Sequence, residues 1–272
     1  MLVLVGRALG DAKSPYDEDA PAYNDLVARS FFIEVEPLVE KHTGWDCEWP
    51  VSFRLVTRAQ YVEQASKEIK GRISSRVGNV QQSEVETMLT QVLTPRAMGL
   101  LGLYSSISKS IFLLPGNLKP VLRSLNVEQR YSRDVIEVIL AHELTHYVQD
   151  AQFNFGKREL GIIDPDEYIA WTMIVEGHAS WVADRVAVDL KLDEAAARLG
   201  EGMAASVITS NAANSRAVQN ASQRGYVQGK KFVEAVFKKG GLPAVQALFT
   251  KPPKDPALIE DPELFFKKQA VR

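Results

Sequence analysis

Cysteine and histidine are scarce in this chain, at one and four among 272 residues. The lone Cys47 excludes an intramolecular disulfide, so stability has to come from packing. Neither sign of charge dominates. The 32 basic and 34 acidic residues leave a formal net charge of -2, which offers nucleic acid no basic surface and forms no acidic tail. Long apolar runs are missing as well. Met1-Leu2-Val3-Leu4-Val5 is cut off by Gly6 and Arg7, short of the roughly 7–15 apolar residues of a signal-peptide core. No stretch approaches the roughly 20 residues of a membrane span. The cytoplasm is the default expectation, with export through a trimmed or unusual signal as the other route. Internal repeats and low-complexity tracts are also absent. What remains is an ordinary soluble composition, 46% hydrophobic and 24% charged, long enough for one large domain or two close-packed subdomains.

The pattern along the chain is mostly helical. Residues 1–20 read as a flexible lead-in, mixing Asp, Glu, Pro, Ser and Gly from residue 8. From Pro21, the spacing of Leu26, Val27, Phe31, Val35 and Leu38 predicts a helix. Trp49 to Val56 reads as a strand, and Thr57 caps a second helix through Tyr61, Val62 and Ile69. A third helix is expected over Ser83 to Leu93, ended by Pro95. Leu101 to Tyr104 and Ile111 to Leu114 flank a polar stretch as a β-hairpin, closed by Pro115-Gly116-Asn117. A helix from about Ser132 to Phe153 follows. Asp164, with Pro165 behind it, opens another that runs to about Leu190. Further helices are expected over Asp193 to Thr209 and Ser222 to Lys239, separated by Ser210 to Gln219, a loop or weak helix. Gly240-Gly241 acts as a C-terminal stop. Lys251 to Pro262, with four prolines, is expected to lie extended across the surface.

Two of the four histidines fall in His142-Glu143-Leu144-Thr145-His146, inside the apolar run Val135 to Tyr147. Residues four apart share a helix face, so His142 and His146 can present two imidazoles to one metal ion. Glu143 can then reach a metal-bound water instead of the metal, which is the layout of a zinc hydrolase. A catalytic zinc takes three protein ligands and an open position. The second long helix offers Glu176 or His178. They lie about 200° apart around the axis, so only one can face the ion. Glu176 is the better candidate, because Thr172, Met173, Ala179, Ser180 and Ala183 around it are mostly small and admit another helix. A glutamate on a helix that is apolar nearly all round also needs a partner, which a cation with two histidines supplies. Its alternative is a buried ion pair with Arg185 or Arg224. His178, among Ile174, Val175, Trp181 and Val182, reads as a hydrogen-bonded core histidine or one that supports a ligand.

His142 to His146 followed by Tyr147-Val148-Gln149-Asp150 resembles the active helix of thermolysin-like zinc peptidases. The downstream glutamate is the pattern of the gluzincin group. The likeness is close over about ten residues and weaker around Glu176-Gly177-His178-Ala179-Ser180. The hairpin before the motif is similar to the sheet edge that lines the cleft in zincin folds. Tyr226-Val227-Gln228-Gly229, Gly240-Gly241 and Pro252-Pro253 are similar to the C-terminal part of a bacterial gluzincin-like family. The resemblance implies that His142, His146 and Glu176 bind zinc and that Glu143 is the catalytic base. The chain departs from the thermolysin pattern at Ser180, where that group has an aspartate. A metzincin would need a histidine soon after His146, and the next is His178. The histidine and tyrosine that assist the thermolysin transition state have no positional match. Tyr226, with Arg224 beside it, is the substitute oxyanion donor, its alternative being an ordinary core tyrosine.

The expectation is an α+β, zincin-like fold with a small mixed sheet. Residues 21–154 would form an N-terminal subdomain with the sheet and motif helix. Residues 155–272 would form a helical C-terminal subdomain carrying the third ligand. The expected function is zinc-dependent hydrolysis of peptide bonds in a peptide or protein substrate, with neither nucleic acid nor membrane as partner. The alternative is a degenerate zincin serving as a binding or regulatory module.

Overall fold

The computed structural model describes residues 25–47, 51–77, 82–124, 132–192, 194 and 224–270. The expected lead-in, Ser210 to Gln219 and, apart from Glu194, the helix over Asp193 to Thr209 lie outside them. The described chain is mostly helical with one small mixed sheet, an α+β arrangement.

Helix α1 (Asp25–Thr43) buries Phe31, Phe32, Val35 and Val39, one stripe at helical spacing. Strand β1 (Ser52–Leu55) leads to α2 (Arg58–Val77), which opens with a reciprocal cap. Thr57 N–H donates to Gln60 Oε1 at 2.9 Å, and Gln60 N–H donates to Thr57 Oγ1 at 3.2 Å. Helix α3 (Gln82–Gly99) does not stop at Pro95 as its sequence suggests. The carbonyl that loses its donor there belongs to exposed Gln91, where water can replace it, while Leu89, Leu93 and Ala97 keep one buried stripe across the proline.

Strands β2 (Gly102–Ser105) and β3 (Ser110–Leu113) form the expected antiparallel hairpin, with Leu103 opposite Phe112. β3 also pairs in parallel with β1, giving the order β1-β3-β2 with β2 at an edge. A 3-10 turn at Pro115–Asn117 and the short α4 (Leu118–Ser124) lead toward α5 (Ser132–Phe153). Val135 to His146 is buried without a break, because the hairpin, α1 and the long helix Pro165–Asp189 pack around this helix. After α6 (Phe155–Gly161), helix α7 (Pro165–Asp189) begins at the expected cap, where Asp164 accepts from the N–H groups of Asp166 and Glu167.

Gly225–Gly229 winds as a π-helical turn into α8 (Lys230–Thr250). Gly241 breaks α8 with φ of +65°, where a stop was expected, but Pro243 sits in the first turn of a renewed helix. The proline-rich tail is not extended throughout either. Pro256 caps α9 (Ala257–Glu260) and Pro262 starts α10 (Pro262–Ala270), since an N–H at a helix start has no intrahelical acceptor and its loss costs little. One apolar core runs continuously from α1 through the sheet and α5 to α7 and α8.

Candidate metal centre

Helix α5 holds His142 and His146 one turn apart, with their Nε2 atoms 3.0 Å from each other. Glu176 enters from α7, placing Oε2 3.3 Å from His142 Nε2 and 3.5 Å from His146 Nε2. One ligand atom from each residue lies within 4.8 Å of the others, and all three side chains are buried. This group could hold a metal ion. Of the two α7 candidates, Glu176 reaches it and His178 does not. His178 packs instead among Trp45, Trp181 and Phe249, with ring centroids 5.5, 6.0 and 5.1 Å away.

Electrostatics favour a cation at this point. Burial pushes the His142 imidazole down to about 4 against the pull of Glu176, so at neutral pH it is uncharged and keeps a lone pair for a ligand bond. Burial opposes ionisation of Glu176, yet its carboxyl is held well below the usual range, with the two imidazoles beside it contributing. Imidazole nitrogen and ionised carboxylate, converging on one buried point, are a donor set suited to zinc or a similar divalent ion.

Glu143, the next residue along α5, meets the sheet beside the centre, close enough for its charge to act on His142 and Tyr226. The N–H of Tyr104, on edge strand β2, donates to Glu143 Oε2 at 2.7 Å. Gly102 makes this approach feasible, since a Cβ there would lie 2.5 Å from Ile139 Cγ2 and 3.1 Å from Glu143 Cγ. The base candidate is fully buried and fixed by a backbone donor.

Tyr226 lies in the π-helical turn against the ligands, its ring 5.6 Å from that of His142. Its phenol is hydrogen-bonded to Glu176, and burial followed by the charges of Glu176 and Glu143 raises it well above the ordinary value, so it stays protonated as a donor. In the sequence Arg224-Gly225-Tyr226, the glycine reads as a point where the backbone can come close to a substrate. It meets Glu176 instead: a Cβ there would sit 2.7 Å from Glu176 Cβ. Arg224 does not join the centre, because its Nε donates to Glu260 at 2.7 Å. Arg185 lies over the rings of Trp181 and Phe237. Neither arginine is the ion-pair partner weighed for Glu176.

Sequence reasoning assigned no role to Gln149 and Asp150. His146 Nδ1 is 2.9 Å from Gln149 Oε1. Asp150 accepts from the Tyr104 hydroxyl at 2.6 Å, from Lys109 Nζ, and from Phe155 N–H at 2.7 Å, which binds hairpin, α5 and α6 together. The signal was present as two polar residues in a run that is otherwise apolar and buried. Glu36, Glu40 and Cys47 form a second grouping with metal-ligand chemistry. Glu40 Oε1 already accepts from Cys47 N–H at 2.6 Å, and burial, then the adjoining carboxylates, push the Cys47 thiol strongly up. A thiol that stays protonated is a poor ligand.

No family model and no curated protein matches the chain. Among solved structures it is similar to a Chloroflexus aurantiacus protein described as "a putative hydrolase with a novel fold". The two share a TM-score of 0.66 over 95% of each chain, at 17% identity. At that identity the likeness shows a common fold.

Proposed function

We propose that this chain is a zinc-dependent metallopeptidase of the zincin type, with His142, His146 and Glu176 as ligands. The observation carrying the reading is the convergence of those three side chains with Glu143 one residue from the first ligand. The description of its Chloroflexus neighbour as "a putative hydrolase" is compatible with hydrolysis. Held by His142, His146 and Glu176, a zinc ion would supply Lewis acidity toward a scissile carbonyl and lower the pKa of water. Glu143, oriented by the Tyr104 N–H, takes a proton from the attacking water and returns it to the leaving amine. Tyr226 would turn its single phenolic hydrogen from Glu176 to the developing oxyanion. An extended peptide laid along β2 meets one donor already engaged, the Tyr104 N–H, so its strand pairing starts beside that position.

Elemental analysis after mild dialysis is expected to find about one zinc per chain. His142→Ala and Glu176→Ala should each empty the site, and His178→Ala should keep it filled. Metal retained by Glu176→Ala and lost from His178→Ala would overturn the ligand set. Digestion of a denatured protein by the zinc-loaded chain tests the peptidase assignment. Zinc without turnover on any peptide would point to a degenerate zincin.

Tyr226→Phe should lower kcat about a hundredfold, the lower end of what losing one oxyanion donor costs, because the phenol is shared with Glu176. KM, zinc content and melting temperature should stay close to wild type. A rise in KM with kcat unchanged would return Tyr226 to substrate binding or the core.

A further inference from the structure

We infer that Gln149 is a positioning residue that locks His146 into the tautomer able to bind a metal, and that the α7 backbone locks Gln149 in turn. The inference rests on the metal-site reading above. Gln149 is wholly buried on α5, one turn beyond His146. Its side-chain nitrogen lies 3.2 Å from the Val175 carbonyl oxygen and 2.8 Å from His178 Nδ1. A carbonyl oxygen can only accept, so the amide nitrogen must face Val175. The amide oxygen is then turned toward His146 Nδ1, 2.9 Å away, and it too can only accept. His146 therefore carries its hydrogen on Nδ1 and leaves Nε2 bare toward His142 and Glu176.

The second amide hydrogen sets His178 to the opposite tautomer. Its Nδ1 accepts from Gln149, so its hydrogen is on Nε2, which has no hydrogen-bond partner among the described residues. Trp45 and Phe249 meet that ring edge-on, at interplanar angles of 61° and 70°, the geometry in which an N–H can face a π system.

One amide thus performs two tasks. It fixes the proton of a ligand on α5, and it fixes the register of α7, because Val175 and His178 straddle Glu176. Metal-binding histidines commonly have their second nitrogen held in this way by a carboxylate or carbonyl. Here the holder is a side-chain amide that also reaches the helix bearing the third ligand.

Long-range proton–nitrogen correlation spectra of the imidazoles in metal-free protein test the lock directly. His146 is expected as the Nδ1–H tautomer and His178 as Nε2–H. His146 found as Nε2–H, or as a mixture, would overturn the proposal without any variant. Gln149→Leu should leave His146 mixed and weaken zinc, in a competition titration with a chelating dye, by about ten- to a hundredfold. His178→Ala, in which Val175 still holds the amide, should keep both the tautomer and full zinc stoichiometry. Wild-type zinc affinity in Gln149→Leu would sink the lock and leave the metal reading standing. A locked His146 in a wild-type chain that takes up no zinc would do the reverse.

Discussion

Glu143→Gln is expected to bind about one zinc per chain, melt with the wild type, and turn over peptide at least about a hundredfold more slowly. The substitution keeps the side chain's shape. Its amide oxygen can still accept from Tyr104 N–H, so the packing of β2 on α5 survives. Metal content is unaffected because Glu143 is not among the converging ligands. Only the proton acceptor disappears, and general-base catalysis by a positioned carboxylate contributes about 10²–10⁴ in rate. Steady-state kinetics beside elemental analysis check this. Equal turnover in the variant would remove Glu143 from the mechanism.

Gly177→Ala is expected to destabilise the protein by about 3 kcal/mol, read as a lower denaturation midpoint at unchanged slope. A Cβ at Gly177 would overlap the carbonyl carbon of Gly229 and come within 2.6 Å of its Cα. Both are backbone atoms, so no side chain can rotate away. The same contact seats Tyr226 against Glu176, so zinc affinity should fall with stability. Gly71→Ala is the control, the same chemical change on an exposed stretch of α2 with no atom within 4 Å of the new Cβ. It should stabilise by about 1 kcal/mol, the ordinary gain of alanine over glycine in a helix. A neutral Gly177→Ala would mean that α7 and the π-helical turn can part freely.

Much of the site could be read in the chain because its chemistry is local. The bounds of α5 and the Asp164 cap follow from apolar periodicity and capping chemistry, which act over a few residues. The choice of Glu176 over His178 followed from which helix face carries small residues, and Glu176 is the one that converges with the histidines. What escaped is non-local. Pro95 reads as a stop, yet burial of Leu89, Leu93 and Ala97 against neighbours carries the helix past it. Gly225 reads as room for a ligand, yet its partner is Glu176, about fifty positions earlier in the chain. Gly177 carried a missed clue: a glycine inside a strong helix costs stability and usually has a packing reason. The roles of Gln149 depend on how α5 and α7 are docked, which periodicity does not encode.

The short edge strand β2 has one more consequence. An exposed sheet edge is a template on which a second chain can add a strand and begin to aggregate. Here the outward donor of Tyr104 is covered by a carboxylate from the helix beneath, and the strand is only four residues long. The contact that aims the base therefore also blunts the edge. Losing the acceptor at position 143 altogether, unlike exchanging it for glutamine, would uncover that donor on the margin of the sheet, so under the proposed function solubility and catalysis rest on the same bond.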